Sequence, residues 1–244
     1  MYTYTSRIAY TETDINNILK PESMIDYFQN CSTFQTQDSA APIERQRKLG
    51  VVWVINSWQI ELLRLPRLGE RVVIGTIPYE MKGFMGLRNF FMDTEDGERL
   101  SLANSVLSLI DLDTMRPARI PKEIIDAYPV DAPLEMEHLP RKVTLPDTER
   151  QTLSPVRVET HHLDSNRHVN NGQYVRIALD SVRANIPEDS ALSIRRIRAD
   201  YRAQARLGDT LIPVLAASGT TYTVSLDSPD GTTYSVVELS ADSP

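Results

Sequence analysis

The chain repeats itself, and the repeat limits what it can fold into. Thr13-Asp14-Ile15-Asn16-Asn17-Ile18-Leu19 returns as Leu163-Asp164-Ser165-Asn166-Arg167-His168-Val169, with Asp14 and Asp164 in register. Arg67-Leu68-Gly69-Glu70 returns as Arg206-Leu207-Gly208-Asp209, and Asp96-Gly97 as Asp230-Gly231. The order is the same both times: polar triplet, helical pattern, Leu-Gly turn, strand-like runs, Asp-Gly hairpin. Self-similarity in a fixed order marks a duplicated unit, and Asp-Gly between alternating runs is a strong hairpin signal.

Each copy enters a helix after its triplet. Met24, Tyr27, Phe28, Cys31 and Phe34 follow helical spacing in the first, and Tyr174, Val175, Ala178, Leu179 and Val182 in the second. Strand candidates alternate: Val52, Val54, Trp58, Ile60 and Leu62 are expected on one face. Arg157 and Glu159 alternate with Val156 and Val158, and Val224, Leu226, Val236 and Val237 fall in the last hairpin. An amphipathic helix must bury its stripe, and the sheet is the available partner. The expectation is an α+β chain of two tandem units, residues 1–127 and 152–244. Residues 128–151, with Pro129, Pro133, Pro140 and Pro146, read as a surface-wrapped linker. Two such units are expected to form a pseudo-symmetric pair with joined sheets.

Composition narrows the function classes. A formal charge of −7 argues against broad nucleic-acid binding. No apolar run approaches the ~20 residues that span a bilayer. The first residues lack a basic region followed by an apolar one, so they do not read as a secretory signal. One cysteine, Cys31, precludes an intrachain disulfide and points to a reducing, cytoplasmic setting. Cys31 falls on an apolar helix stripe and reads as core rather than nucleophile. Trp53 and Trp58 likewise read as core. No phosphate-binding Gly-rich loop and no G-x-S-x-G elbow occurs, which argues against an α/β-hydrolase.

The second polar triplet carries the chemistry. Asp164, Asn166 and His168 occupy alternate positions, and alternate residues of an extended segment point the same way. Histidine ionises near pH 6.5 and exchanges protons around neutrality. Backbone N–H groups at the start of the following helix, near Asn170 to Gly172, are candidate oxyanion donors. The bland alternative is a loop with an Asx cap and a solvent-facing histidine. The first copy keeps Asp14 and Asn16 but has Ile18 in place of the histidine, so it is expected to be catalytically silent. His161, His162, Asp164 and His168 together resemble a metal set, but adjacent residues of a strand face opposite ways, so no metal is expected. Arg195, Arg196, Arg198, Arg202 and Arg206 are either a docking patch for an acidic partner or a solvated strand face.

This order of motifs resembles that of the bacterial and plant acyl-acyl carrier protein thioesterases, chains of two hotdog domains. The likeness runs through Val52-Trp53-Val54-Ile55, Gly83-Phe84-Met85-Gly86-Leu87-Arg88-Asn89-Phe90 and Ser105-Val106-Leu107-Ser108-Leu109-Ile110-Asp111. It continues in Thr114-Met115-Arg116-Pro117-Ala118-Arg119-Ile120-Pro121, Asp164-Ser165-Asn166-Arg167-His168-Val169-Asn170-Asn171 and Asp200-Tyr201-Arg202-Ala203-Gln204-Ala205. The resemblance implies hydrolysis of a fatty acyl thioester on the phosphopantetheine arm of acyl carrier protein, with no cofactor. It maps the catalytic set onto Asp164, Asn166 and His168. Family members often carry Glu, followed in plants by Cys, on the strand after the helix. Here those positions are Gln204 and Ala205, so no Cys nucleophile exists there, and Gln204 is left to position water while His168 or the Asp164–His168 unit supplies the base. An acyl-coenzyme A thioesterase and a non-catalytic acyl-binding module are the alternatives on the same fold. One chain already supplies a hotdog pair, yet such chains can also form homodimers. Chain-length preference and the choice between direct water attack and an anhydride stay open.

Overall fold

The computed structural model describes residues 1–186 and 192–242. It divides into two compact units, Met1–Leu139 and Pro140–Pro244. Within the first, strands β1 (Tyr2–Arg7), β2 (Val51–Leu62), β3 (Arg71–Lys82), β4 (Met85–Thr94) and β5 (Arg99–Asp111) lie in the order β1-β3-β4-β5-β2, all antiparallel. Helix α1 (Ser23–Asp38) lies against β1 and β3, and short helices α2 (Ile43–Lys48) and α3 (Lys122–Ala127) complete the unit.

The α1 stripe is buried as the periodicity requires: Met24, Phe28 and Cys31 are fully covered. Phe28 stacks on Trp58 at 6.1 Å and meets Phe90 at 5.3 Å. Phe34 departs from the expectation and lies exposed, edge-on to Tyr4. Burial pushes the Cys31 thiol up to about 12, and its Sγ lies 3.6 Å from the Ile74 carbonyl. A thiol so placed is inert.

The single expected face of β2 is corrected. The register against β5 slips between Ile55 and Ser57, leaving Asn56 as an extra residue. A bulge reverses the alternation beyond it. Val51 and Trp53 therefore share a face with Trp58 and Ile60, while Val52 and Val54 take the other. Val51 joins the cluster of Ala41, Leu109, Ile120, Ile124 and Tyr128, with Trp53 packed against it.

Side-chain amides dock the segment after α3. Asn89 accepts the Leu134 N–H at 2.9 Å. Gln59 donates to the Glu137 carbonyl at 2.8 Å and accepts the Leu139 N–H at 3.0 Å. Both amides are buried, so each substitutes for a strand neighbour along this non-periodic stretch.

In the second unit, β6 (Arg150–Thr152), β8 (Ile194–Tyr201), β9 (Thr210–Ser218), β10 (Thr221–Asp227) and β11 (Thr233–Ala241) are antiparallel in the order β8-β11-β10-β9-β6. The two-residue β7 (Val156–Arg157) also pairs with β9, so the expected 156–159 strand is shorter than its alternation. Helix α4 (Asn171–Arg183) lies against β9, β10 and β11 and buries Tyr174, Val175, Ile177, Ala178, Leu179 and Val182. Each unit is thus one long helix on an antiparallel sheet, the α+β arrangement the repeat predicts. Gly97 and Gly231 take φ of 89° and 86° in the two Asp-Gly turns, the left-handed region glycine enters without cost.

Candidate active site

The two copies of the polar triplet fold alike. In the second, Asp164 N–H donates to the His168 carbonyl at 2.9 Å, and Arg167 N–H to the Asp164 carbonyl at 3.0 Å. In the first, the matching bonds are Asp14 to Ile18 at 2.8 Å and Asn17 to Asp14 at 3.1 Å. Arg167 and Asn17 hold φ of 64° and 59°. Each loop is preceded by a 3-10 turn, Thr160–His162 or Tyr10–Glu12, and closed by a bridge, Leu163 to Val169 or Thr13 to Leu19.

This corrects the extended reading of 164–168. The segment is a tight turn, because Asp164 bends back on its own backbone. Its Oδ1 accepts the Asn166 N–H at 2.8 Å and lies 3.5 Å from the His168 nitrogen. An Asx turn of this kind competes with extended structure. Asp164 and His168 are half-buried and Asn166 is exposed, so the turn presents the triplet at the surface of its own unit.

Gln204 is placed in the loop after β8, not on the strand. The loop is pinned on every side. Arg202 and Ala203 donate to the Tyr234 carbonyl at 2.8 and 3.2 Å, and Arg206 N–H to Asp209 at 2.8 Å. Ala205 accepts the Val169 N–H at 3.0 Å and donates to the Tyr174 hydroxyl at 2.9 Å. Gln204 and His168 therefore flank one backbone bridge, and the exposed Gln204 side chain extends from a fixed frame. The first copy makes the same bridge between Leu19 and Pro66 at 2.9 Å, so Leu65 holds there the place that Gln204 holds in the second copy. That copy lacks both the histidine and the amide.

Two tyrosines that sequence reasoning missed hold this frame. Tyr174 of α4 caps Ala205, and burial pushes its hydroxyl up to about 12, which keeps it protonated. Tyr201, ending β8, donates to the Asn171 carbonyl at 3.0 Å. Gln173, in the first turn of α4, was also missed. Its Oε1 is buried with no partner among the described residues.

Two of the N–H groups expected as oxyanion donors at the helix start, those of Asn170 and Gly172, are already engaged. Asn170 caps α4, its Oδ1 accepting the Gly172 N–H at 2.8 Å. Asn170 N–H donates to His162 and Gln173 N–H to Asn170, each at 2.9 Å. The histidine pair is also corrected. His161 and His162 lie in the 3-10 turn rather than a strand, with ring centres 4.0 Å apart. No group of three or more His, Cys, Asp or Glu among the described residues is arranged to hold a metal.

Three arginines of the run are engaged within their own unit. Arg198 pairs with Glu238 at 2.8 Å and donates to the Pro140 carbonyl at 2.6 Å. Arg202 pairs with Asp200 at 3.0 Å and donates to the Val143 carbonyl, and Arg195 pairs with Asp242 at 2.7 Å. Arg198 and Arg202 fasten residues 140–143 to β8, and the Arg198 side chain is only 13% exposed. Arg198→Glu is therefore expected to lower the melting temperature, since it leaves Glu238 facing a like charge in a partly buried site. It should change KM for carrier-protein and coenzyme A substrates alike. A selective rise in carrier-protein KM at unchanged stability would restore the docking role.

A surface cleft of about 630 Å³ in the first unit is lined by Arg7, Arg64, Arg71, Glu70, Glu95 and Glu98 among others. Its charges answer one another, with Arg64 forked onto Glu70 and Glu98. No described helix is long and apolar enough to cross a membrane.

The architecture is that of known proteins. The acyl-ACP thioesterase N-terminal domain matches residues 1–128 and the acyl-ACP thioesterase C-terminal domain residues 145–231. An oleoyl-acyl carrier protein thioesterase of Arabidopsis thaliana is 28% identical over 84% of this chain and 57% of its own length. A palmitoyl-acyl carrier protein thioesterase of Cuphea hookeriana is 30% identical over 81% and 48%. The chain thus spans about half the length of the curated relatives it matches. An acyl-ACP thioesterase structure from Bacteroides thetaiotaomicron superposes with a TM-score of 0.88, at 24% identity over 98% of this chain and 97% of that one. The 12:0-ACP thioesterase of Umbellularia californica gives 0.82, at 18% identity over 99% and 96%. The two domain matches run in order along nearly the whole sequence, each over one copy of the repeat, and on that ground the chain belongs to the acyl-ACP thioesterase family.

Proposed function

We propose that the chain hydrolyses the thioester between a fatty acyl group and the phosphopantetheine arm of acyl carrier protein, releasing free fatty acid for lipid metabolism. The observation that carries this is the asymmetry of two otherwise equivalent loops. The second holds Asp164, Asn166 and His168 with Gln204 across the bridge; the first has Ile18 and Leu65 there. His168 takes a proton from water, and the water oxygen attacks the thioester carbon. Collapse of the tetrahedral intermediate breaks the C–S bond, and the imidazolium returns the proton to the leaving thiolate. Asp164 Oδ1 accepts the Asn166 N–H at 2.8 Å, which fixes the carboxylate in the turn and leaves part of it for the site. Asn166 and Gln204 orient water and substrate, and the first unit shapes the acyl pocket. A cytoplasmic setting accords with the single buried thiol.

Turnover on acyl chains of graded length, carried by acyl carrier protein and by coenzyme A, tests the proposal. A higher kcat/KM on carrier protein supports it. Preference for coenzyme A would make the chain an acyl-coenzyme A thioesterase, and tight acyl binding without turnover would make it a binding module. Within this scheme Gln204→Glu is expected to keep activity and to alter the acid limb of the pH–rate profile, because an amide offers hydrogen bonds but no basicity. Gln204→Ala should cost less than Asp164→Ala. A folded but inactive Gln204→Glu would show that the neutral amide is required.

A further inference from the structure

The 3-10 turns that launch the two loops are closed in different ways. In the first unit Glu12 N–H donates to the Ala9 carbonyl at 3.1 Å, and Glu12 Oε2 accepts the Ala9 N–H at 2.8 Å. In the second unit His162 holds that position. Its N–H donates to the Glu159 carbonyl at 3.0 Å, and its Nδ1 accepts the Glu159 N–H at 2.9 Å. The His162 carbonyl also accepts the Asn170 N–H at 2.9 Å. His162 thus closes the turn before the loop and ties it to the segment after the loop, and its side chain is packed away from solvent.

The exchange of carboxylate for imidazole has a chemical consequence. A carboxylate accepts hydrogen bonds down to about pH 4, its usual ionisation range. An imidazole Nδ1 accepts only while it carries no proton. We propose that His162 is a positioning residue that makes the order of the Asp164–His168 loop depend on pH: neutral, it closes the turn; protonated, it presents an N–H to the Glu159 N–H and opens it. This rests on the reading of that loop as catalytic. The groups facing His162 are His161 and Glu159 on its own turn and Arg176 on α4. Burial, then His161, hold its pKa below the ordinary histidine value, with Arg176 acting the same way and Glu159 opposing. Because the folded value is depressed, the cap's stabilisation is fully present above about pH 6.5 and is lost as pH falls through the folded value.

The test uses the full chain, with H162Q and H162E as variants; the second copies Glu12 and guards against a variant that misfolds. The wild-type acid limb of kcat/KM is expected to fall more steeply than those of H162Q and H162E, by about a further tenfold per pH unit. The melting-temperature gap between wild type and H162Q should change as pH falls from neutral to acid. Nitrogen NMR of the wild-type imidazoles near pH 8 should show His162 with its proton on Nε2. Parallel acid limbs, or a pH-independent melting gap, or a proton on Nδ1, would overturn the proposal. The melting and NMR readouts do not depend on turnover, so a failure of the catalytic reading, seen as full activity in His168→Ala, stays distinguishable.

Discussion

His168→Ala is expected to lower kcat by about 10²–10⁴, the usual cost of losing a general base, while the protein stays folded. The side chain is half-buried in a surface turn, so its removal opens no core cavity. The turn itself is held by the residue's backbone, whose carbonyl accepts the Asp164 N–H at 2.9 Å. A second variant, His168→Ile, installs the residue that the first copy carries in the same turn, where Asp14 donates to Ile18 at 2.8 Å. Both variants should lose turnover at saturating substrate, with melting temperatures close to wild type. A fall in kcat with KM unchanged marks an interaction made in the transition state. Near-normal turnover in either variant would remove His168 from the mechanism.

The duplication was legible because it is written in local signals that need no partner: Asp-Gly hairpins, Leu-Gly turns and helical stripes all recur in order. What the residues missed are effects of partners far along the chain or of single extra residues. Asn56 reads as one more strand position, yet as a bulge it turns Val52 and Val54 away from Trp58. Arg198 on β8 and Arg202 just after it read as part of a solvated face, but Glu238 and the carbonyls of Pro140 and Val143 come from other segments. Period-two spacing of Asp164, Asn166 and His168 suggested extension. Asp164 can also accept its neighbours' N–H groups, and that local option won. Asn17 in the first copy was the available hint, since asparagine tolerates the left-handed conformation that Arg167 adopts at the matching place. The tyrosine clamps were hidden by their own spacing. Tyr174 fits a helix stripe, and only its bond to Ala205 reveals a second task.

Asp164→Ala and Asp14→Ala are expected to separate chemistry from stability. Both aspartates shape the same turn, but not equally. Asp14 Oδ1 accepts the N–H groups of Asn16 and Ile18 at 2.9 and 3.0 Å. Asp164 Oδ1 holds Asn166 at 2.8 Å but stands 3.5 Å from the His168 nitrogen, beyond the usual range of about 2.7–3.2 Å. The first copy therefore spends its carboxylate on the backbone, and the second holds its own to the turn by fewer bonds. Removing a side-chain acceptor of this kind costs about 0.5–2 kcal/mol by analogy with helix caps, a few degrees in melting temperature for a chain of this size. Asp14→Ala should lie at the upper end of that range, with kcat changed by less than about threefold, since Ile18 offers no proton acceptor. Asp164→Ala should destabilise less yet lower kcat by about 10² or more. Asp164→Asn, which keeps an oxygen for the Asn166 N–H, should restore stability without restoring rate. If Asp14→Ala lost as much turnover as Asp164→Ala at equal stability, the two loops would share the chemistry, and the division between a silent and an active copy would be wrong.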